Sequence, residues 1–329
     1  MPGVRDRIID AGYAAGWRLV CRLPESWAQD VFRFAADIAW RRQGPRVQVL
    51  EANLVRVFGP GVDGKTLRRA SREVLRRYAR YWLETFRLPV TPVDRLVAGV
   101  HDPENQIKMI FDVMASGRGV VVALPHMGNW DQAGAWFIAQ GAGSLTTVVE
   151  RLKPETLYER FVTFRERLGM EVLPASGGPR PFGILAQRLR TGRFVALPCD
   201  RDVTGSGIEV EFFGERAKMM AGPAALAVRT DAALMPAVLW FAGDGQCGVK
   251  IGAEIEPPAA GTRPQKVAAM MQEVAGFFEQ GIREHPYDWL MLQKVFVADL
   301  DPGQQTDAAA PGHGNGQLPG DGWPGPESQ

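Results

Sequence analysis

Apolar and polar residues follow two different patterns in the two parts of this 329-residue chain. From about residue 118, apolar runs of strand length alternate with longer amphipathic stretches. The runs predicted as buried strands are 119–125, 145–149, 171–174, 194–199 and 235–241. The stretches predicted as helices are 130–140, 155–168, 181–191, 219–229 and 264–283. This alternation predicts an α/β fold with a mostly parallel central sheet covered by helices, in which ligands bind at the carboxyl ends of the strands.

The first 88 residues predict helices instead, and the clearest of these helices covers 65–88. Its apolar residues recur every three or four positions and predict one buried face: Leu67, Val74, Leu75, Tyr78, Trp82 and Phe86. Its arginines gather on the rest of the circumference: Arg68, Arg69, Arg72, Arg76 and Arg80. Two interpretations stay open. The helix either faces the core with a solvated basic surface, or it meets anionic lipid headgroups.

Composition predicts one domain followed by a tail. Residues 1–300 are expected to form a single domain, with a basic helical N-terminal region at 1–100 and an α/β core at 118–300. The segment 301–329 holds 7 Gly and 5 Pro and no Lys or Arg, which predicts a disordered tail. The three cysteines have no CxxC spacing, so neither a disulfide framework nor a zinc site is indicated.

No segment of the sequence predicts a membrane span. The longest uncharged stretch, 132–149, reaches the required length, but the residues at 140–144 in its middle predict a turn. A helix followed by a strand explains this stretch better. The N-terminus has no uninterrupted apolar region of the kind found in signal peptides.

The first candidate for chemistry is His126, which directly follows the first predicted strand. On a continuous helix, an acid five residues further on would point roughly 140° away, so the two side chains meet only if His126 lies in a loop. Gly128 would then supply a tight turn, and Asn129 would cap the next helix with Gln132 as its reciprocal partner. Asp131 would lie in the first helical turn and orient a neutral imidazole as a general base. The alternative is ordinary capping without a catalytic role.

Polar residues also follow two further strands of the predicted sheet. Glu150 comes directly after the strand at 145–149, and Asp200 and Arg201 come after the strand at 194–199. Because parallel strands end at the same edge, these side chains are expected beside the histidine. Each cluster alone is also typical of a surface ion pair. Together they indicate a site, in which Glu150, Asp200 and Arg201 are candidates to bind substrate or to orient the histidine.

These residues belong to an ordered set of five sequence blocks that resembles the bacterial lysophospholipid acyltransferase superfamily. The blocks are HMGNWD, VVERLKPETLYERFVTFRERLGMEVLP, PCDRDVTGSGIEVEFFGE, GPAALAVRTDAALMPAVLW and HPYDWLMLQKVF. The most similar branch contains the lipid A lauroyl and myristoyl acyltransferases. Within it, VVERLKPE and CDRD are most similar to the members that acylate phosphatidylinositol mannosides. The resemblance covers roughly residues 1–300, and a histidine with an acid five residues on is the signature of the superfamily.

The resemblance implies roles for particular residues. His126 matches the catalytic histidine of the family, and Asp131 matches its acid, although lipid A members usually carry Glu at that position. Glu150, Arg165 and Asp200 match polar residues that orient the histidine or the acceptor. The resemblance thus leaves open whether Asp131 or Asp200 orients His126.

The resemblance also implies the reaction and its partners. A fatty acyl chain, palmitoyl in particular, is expected to pass from acyl-CoA directly to a mannose hydroxyl of a phosphatidylinositol mannoside. Neither a metal nor a cofactor is expected. Three alternatives stay open: a lipid A precursor or lysophospholipid as acceptor, acyl carrier protein as donor, and a non-catalytic lipid-binding relative.

The charge distribution adds a membrane surface to the expected partners. The formal net charge is only +1, which argues against a nucleic-acid partner. Residues 1–100, however, carry 18 Lys and Arg against 10 Asp and Glu, whereas residues 101–300 carry 20 against 23. We therefore expect the N-terminal region to lie against an anionic membrane, with the protein bound peripherally at the cytoplasmic face of the plasma membrane.

Overall fold

The computed structural model describes residue 12 and residues 15–151, 155–176, 181–203 and 205–300. The tail predicted at 301–329 lies outside these residues. The helices are α1 (Glu25–Arg41), α2 (Pro45–Phe58), α3 (Gly64–Arg87), α4 (Val93–Val97), α5 (Ile107–Ala115), α6 (Trp130–Phe137), α7 (Glu155–Arg167), α8 (Pro181–Arg190), α9 (Gly222–Thr230) and α10 (Arg263–Glu284). The strands are β1 (Val100–His101), β2 (Val120–Leu124), β3 (Leu145–Val149), β4 (Met170–Pro174), β5 (Phe194–Pro198), β6 (Ile208–Phe212), β7 (Glu215–Met219), β8 (Ala233–Phe241) and β9 (Cys247–Ile251).

Seven of these strands form one central sheet in the order β1-β9-β8-β2-β5-β3-β4. Five of its six pairings are parallel, and the pairing of β8 with β9 is antiparallel. The predicted α/β class with a mostly parallel sheet is therefore confirmed. The five predicted strands correspond to β2, β3, β4, β5 and β8, whereas β1 and β9 were not predicted.

Both faces of the sheet are buried, as the near-continuous apolar strands predict. Alternate residues of β2 point to opposite sides. Val121 and Ala123 pack in a core that includes residues of α8, α9 and α10, while Val120, Val122 and Leu124 pack against residues of α5, α6 and α7. The carboxyl end of β2 therefore opens between two packed layers, which is where the polar residues of the candidate site emerge.

A β-hairpin lies where the sequence did not predict one. β6 and β7 pair antiparallel, with the two-residue turn at Phe213 and Gly214, whose φ angles are 51° and 76°. Positive φ at both central positions is the geometry of a tight hairpin turn, in which Phe is an unusual first residue. Because β7 extends to Met219, the helix predicted to begin at residue 219 begins only at Gly222.

The N-terminal helices form a layer of their own. α1, α2 and α3 share a core cluster with Leu290 and Leu292 of the C-terminal segment. The long helix predicted at 65–88 is confirmed as α3, and Asp63 caps it by accepting hydrogen bonds from the backbone of Lys65 and Thr66 at 2.9 Å each. Within the described part of the chain, no helix has both the length and the apolar character needed to cross a bilayer.

Three of the five arginines predicted on the basic surface of α3 pair with acidic residues of neighbouring helices. Arg72 and Arg76 each make a bidentate ion pair with Asp37 of α1. Arg68 contacts Glu51 of α2 at 3.3 Å. These three arginines bind the N-terminal helices to one another, whereas Arg69 is exposed, so part of this basic face belongs to the packing between helices.

Candidate active site

The candidate site is centred on His126, in the loop between β2 and α6. The loop turns at Gly128, whose φ is 62°, and Asn129 caps α6 by accepting from the Gln132 backbone at 3.0 Å, as predicted. The side chain of Gln132 is not the predicted reciprocal partner, since its amide donates to the carbonyl oxygen of Gly99 at 3.3 Å. The His126 side chain is 24% exposed, so its free ring edge is accessible to a substrate.

Asp200 holds the histidine. β2 and β5 are parallel neighbours in a register that pairs Leu124 with Pro198, so the residues two positions further on meet above the sheet. The Asp200 Oδ1 atom lies 2.5 Å from His126 Nδ1, and Oδ2 accepts from the His126 backbone N–H at 2.9 Å. The Asp200 side chain is fully buried. The sequence had left Asp131 and Asp200 as alternatives for this contact, and the geometry assigns it to Asp200.

The charge state of Asp200 determines the tautomer of the histidine. Burial acts to raise the pKa of the Asp200 carboxyl, but attraction to His126 when that ring is protonated and hydrogen bonds from His126 and Trp289 outweigh this effect, so the pKa lies below its usual value. An ionised carboxylate can only accept hydrogen bonds, so His126 Nδ1 carries the proton. Nε2 is then the acceptor that can take a proton from a hydroxyl group.

Asp131 lies in the first turn of α6, as predicted, but its carboxylate has other partners than the histidine. Arg165 of α7 donates from Nε to Oδ1 at 2.6 Å and from Nη2 to Oδ2 at 3.0 Å. The hydroxyl of Tyr81 on α3 donates to the same Oδ2 at 2.8 Å. The expected contact between Asp131 and His126 is thus replaced by a buried ion pair that joins α3, α6 and α7. Its effect on the histidine is to fix the helix that follows it.

Glu150 and Arg201 meet each other at the edge of the site. The Arg201 Nη2 group donates to Glu150 Oε2, which joins the end of β3 to the end of β5. The Glu150 side chain is 44% exposed, whereas that of Arg201 is only 16% exposed. The strand ends therefore bring these residues together, as the sequence predicted. Their roles toward a substrate stay predictions.

Two contacts to the site were missed by the sequence analysis. Tyr81 binds Asp131, and Trp289 donates from Nε1 to Asp200 Oδ2 at 2.8 Å. Tyr81 has the helical spacing of a core residue, and Trp289 lies in an apolar block, so both have the pattern of packing residues. Pairing them with particular carboxylates requires the tertiary structure, because Trp289 and Asp200 are 89 positions apart.

An apolar cavity of about 80 Å³ extends beneath the loop. Its lining is entirely apolar and includes Trp130, Trp136 and Phe137 of α6. The Trp130 ring also contacts the His126 ring edge-to-face, with 5.7 Å between the centroids, so the cavity begins next to the histidine. Apolar walls next to a polar group are typical of a site for a hydrophobic ligand. No group of three or more His, Cys, Asp or Glu side chains that could hold a metal ion occurs among the described residues.

A histidine base that is held by a buried carboxylate beside an apolar cavity suits an enzyme that transfers an acyl chain to a hydroxyl group. The chain belongs to the bacterial lipid A biosynthesis acyltransferase family, whose profile matches residues 5–297. Family membership confirms the predicted relationship and shows that the protein is an acyltransferase.

Two similar proteins have the same name. The phosphatidylinositol mannoside acyltransferase of Mycolicibacterium smegmatis is 48% identical over 297 residues, which cover 89% of this chain and 93% of the relative. The phosphatidylinositol mannoside acyltransferase of Mycobacterium tuberculosis is 45% identical over 300 residues, which cover 90% of this chain and 91% of the relative. The resemblance to the branch that acylates phosphatidylinositol mannosides is thus confirmed.

Proposed function

We propose that this protein transfers a palmitoyl chain from acyl-CoA to a mannose hydroxyl of phosphatidylinositol mannosides. The observation that carries the proposal is the contact between His126 Nδ1 and Asp200 Oδ1, which leaves Nε2 as a base beside an apolar cavity. The acceptor is supported by the names of the two relatives, which match along nearly their whole length.

The proposed reaction is a direct transfer. His126 Nε2 takes the proton of the mannose hydroxyl as its oxygen attacks the thioester carbonyl. The tetrahedral intermediate then expels the thiolate of coenzyme A, which receives the proton from the imidazolium. The C–O bond forms, the C–S bond breaks, and the enzyme returns to its starting state without an acyl-enzyme, a metal or a cofactor. General-base assistance of this kind contributes roughly 10²–10⁴-fold to the rate.

The apolar cavity is the proposed site of the acyl chain. A chain that enters beside Trp130 would place its thioester carbonyl next to His126, while the apolar walls bind the methylene groups. Glu150 and Arg201 lie at the outer edge, where they are placed to bind polar groups of the acceptor. Asp131 and Arg165 act indirectly in this scheme, because their ion pair fixes α6.

The enzyme is proposed to work as a peripheral protein at the cytoplasmic face of the plasma membrane. Support comes from α1, where Trp27, Val31 and Phe34 recur at helical spacing with side chains that are 66%, 58% and 65% exposed. An outward-facing apolar stripe of this kind is typical of a helix that lies in a membrane interface. Arg22 and Arg33 are exposed in the same segment and would favour anionic lipid.

The test is an assay with purified protein, in which several acyl-CoAs are offered with mannosylated phosphatidylinositol, unmannosylated phosphatidylinositol, a lysophospholipid and a lipid A precursor as separate acceptors. We expect a palmitoylated mannoside, and a product only from a lipid A precursor or a lysophospholipid would overturn the acceptor. His126→Ala is expected to lower kcat by about 10²–10⁴-fold. An unchanged kcat in that variant would overturn the general-base mechanism. Lipid binding without turnover by wild-type protein would identify a non-catalytic relative.

A further inference from the structure

A C-terminal segment is paired with the loop that carries the proposed catalytic base. Gly128 donates its backbone N–H to the carbonyl oxygen of Asp288 at 3.0 Å, and Leu290 donates to the carbonyl oxygen of His126 at 2.8 Å. The two segments thereby form a short antiparallel bridge centred on Trp289. The loop is therefore held by a part of the chain more than 150 residues away in sequence.

Trp289 contributes a side-chain contact to this arrangement. Its indole is fully buried, and Nε1 donates to Asp200 Oδ2 at 2.8 Å. The ring contacts Phe212 edge-to-face and Phe213 at a tilt, with centroid distances of 5.9 and 6.2 Å, so the β6–β7 hairpin fixes its orientation. One oxygen of Asp200 thus accepts two N–H groups, from Trp289 and from the His126 backbone, while the other oxygen faces His126 Nδ1.

We propose that Trp289 is a positioning residue for acyl transfer, which acts on His126 through Asp200. The proposal rests on the proposed role of His126 as general base. Two donors on Oδ2 fix the plane of the carboxylate, so that Oδ1 stays directed at Nδ1.

The indole N–H also helps to keep the Asp200 carboxylate ionised. A hydrogen bond to the charged form of a carboxyl group favours that form, and the bond from Trp289 acts to lower the pKa of Asp200. Only the ionised carboxylate is restricted to accepting from Nδ1–H, which leaves Nε2 as the acceptor for a proton. The neighbouring Cys199 adds no charge, since burial and the charge of Asp200 raise the pKa of its thiol well above the usual value.

A partly buried ion pair keeps the segment in place. The Asp288 carboxylate accepts from Arg77 Nη1 of α3 at 2.5 Å and from the backbone N–H of Phe241 at 3.2 Å. Trp289 is therefore anchored by its own backbone pairing and by the residue before it. Loss of the indole N–H alone is expected to leave this backbone in place.

Trp289→Phe removes the donor and keeps an aromatic ring at the position. We expect kcat to fall about tenfold or more, because hydrogen bonds to charged groups have free energies of this order. The KM for acyl-CoA is expected to change little. The acid limb of the kcat/KM pH profile is expected to move upward, since loss of this hydrogen bond raises the pKa of Asp200, which has to stay ionised to orient the histidine. Trp40→Phe is the matched control, because it removes an indole N–H that donates to Ser71 Oγ at 2.9 Å away from the site.

A spectroscopic measurement separates this inference from the proposed function. The His126 Nδ1–H proton is followed by NMR in protein without substrate, and in Trp289→Phe its resonance is expected to move upfield as Asp200 is held less firmly and its bond to Nδ1 weakens. The Trp40→Phe spectrum is expected to match the wild type. A moved resonance supports the inference even if His126→Ala keeps its activity. An unmoved resonance together with a superimposable pH profile would overturn it.

Two further variants keep the proposal testable if Trp289→Phe does not fold, or if Trp289 acts by a route other than Asp200. If Trp289→Phe does not fold, a benzothienyl-alanine at position 289 keeps the bicyclic ring and replaces only the N–H with sulfur. In an Asp200→Asn background, Trp289→Phe is expected to lower kcat by less than twofold, because its effect passes through Asp200. A full tenfold loss in that background would show that Trp289 acts by another route and would contradict the proposal.

Discussion

Two buried aspartates lie within one site, and their neighbours give them different tasks. Asp200 receives N–H groups from the backbone and ring of His126 and from Trp289, so its charge is directed at the proposed base. Asp131 instead receives both arms of the Arg165 guanidinium and the hydroxyl of Tyr81. The signature spacing of a histidine and an acid thus corresponds here to a support for α6, and the carboxylate that contacts the ring comes from the neighbouring strand.

Replacing each aspartate with asparagine is expected to separate these tasks. In Asp200→Asn, the amide no longer fixes the Nδ1–H tautomer, so kcat is expected to fall about 10³-fold or more. In Asp131→Asn, Arg165 loses its buried counter-charge, so the free energy of unfolding is expected to fall by about 3–5 kcal/mol. Steady-state kinetics and urea unfolding measure the two quantities. Full stability with a 10³-fold loss of kcat in Asp131→Asn would show that Asp131 takes part in the chemistry.

The apolar cavity gives a second prediction for single residues. Ala237 on β8 lines the cavity, whereas Ala123 on β2 packs in the core on the other side of the sheet. Valine at either position overfills its surroundings and is expected to cost about 1–3 kcal/mol of stability. Only Ala237→Val is expected to shift the preferred acyl-CoA toward shorter chains, as measured by kcat/KM across donors of increasing length. An identical chain-length profile in the two variants would exclude this cavity as the acyl site.

At the scale of elements, α3 supports the site from the N-terminal layer. Its residues 77, 81 and 84 share one face and contact Asp288, Asp131 and Asn129 respectively. Each of these partners fixes the loop around the histidine or the helix that follows it. The basic character that suggested a lipid-binding helix thus belongs partly to the scaffold of the active site.

The elements that could be predicted from sequence are those with regular, uninterrupted patterns. β3 and α7 occur almost where their apolar periods place them, since local burial alone decides their type. The β6–β7 hairpin was missed because Phe213 occupies a turn position that usually holds Asn, Asp or Gly. β9 at 247–251 was missed because Gly248 and Lys250 interrupt its apolar residues, whereas β3, which also has five residues, consists of residues that favour strands.

The position of the candidate site could be predicted from the sequence, but only some of its contacts could. Strand ends located His126, Glu150 and Asp200 at one edge, because parallel strands bring their carboxyl ends together. Whether Asp131 or Asp200 meets the ring depends on the register of β2 and β5, and the sequence pattern does not determine that register. The hydrogen bond from the Trp289 indole to Asp200 could not be predicted for a related reason. A buried tryptophan has the same apolar sequence pattern with or without a polar partner.

At the scale of the whole molecule, much of the basic charge of the N-terminal region is paired with acidic residues of neighbouring helices. Asp37 of α1 accepts both nitrogens of Arg72 and of Arg76, and the hydrogen bonds of these two arginines hold the pKa of its carboxyl well below the usual value. The folded state therefore binds this proton less tightly than the unfolded state does. The resulting stability is complete above the unfolded pKa of about 4 and is lost as pH falls toward the folded value.

Asp37→Asn is expected to lower the free energy of unfolding at pH 7 by about 1–3 kcal/mol, since two charge-assisted pairs are broken. The difference from the wild type is expected to shrink at pH 3, where Asp37 of the unfolded wild-type chain is protonated. Urea unfolding at both pH values measures this change. Asp112→Asn is the matched control, because its pair with Lys108 is 61% exposed on both sides and is expected to contribute less than about 0.5 kcal/mol. An equal difference at pH 7 and pH 3 would contradict the assigned pKa direction.

The proposed attachment to a membrane is affected by the same pairing. Because Arg72 and Arg76 are engaged with Asp37, we propose that attachment uses the exposed apolar stripe of Trp27, Val31 and Phe34 on α1. Apolar insertion depends weakly on salt, whereas attraction between exposed charges is screened within about 8–10 Å at physiological ionic strength. The two modes of attachment can therefore be told apart by the salt dependence of binding.

Trp27→Ala and Phe34→Ala are each expected to weaken binding to anionic vesicles about tenfold or more, since burying one such side chain contributes about 1.5–3 kcal/mol. Neither variant is expected to change the unfolding midpoint, because both side chains are largely exposed in the folded protein. Arg216→Gln, which alters a side chain that is 72% exposed on the β6–β7 hairpin, serves as the control and is expected to bind like the wild type. Co-sedimentation at low and high salt measures the partitioning. Wild-type affinity in both α1 variants, together with a steep loss of binding in salt, would assign attachment to the basic residues of the N-terminal region instead of the stripe.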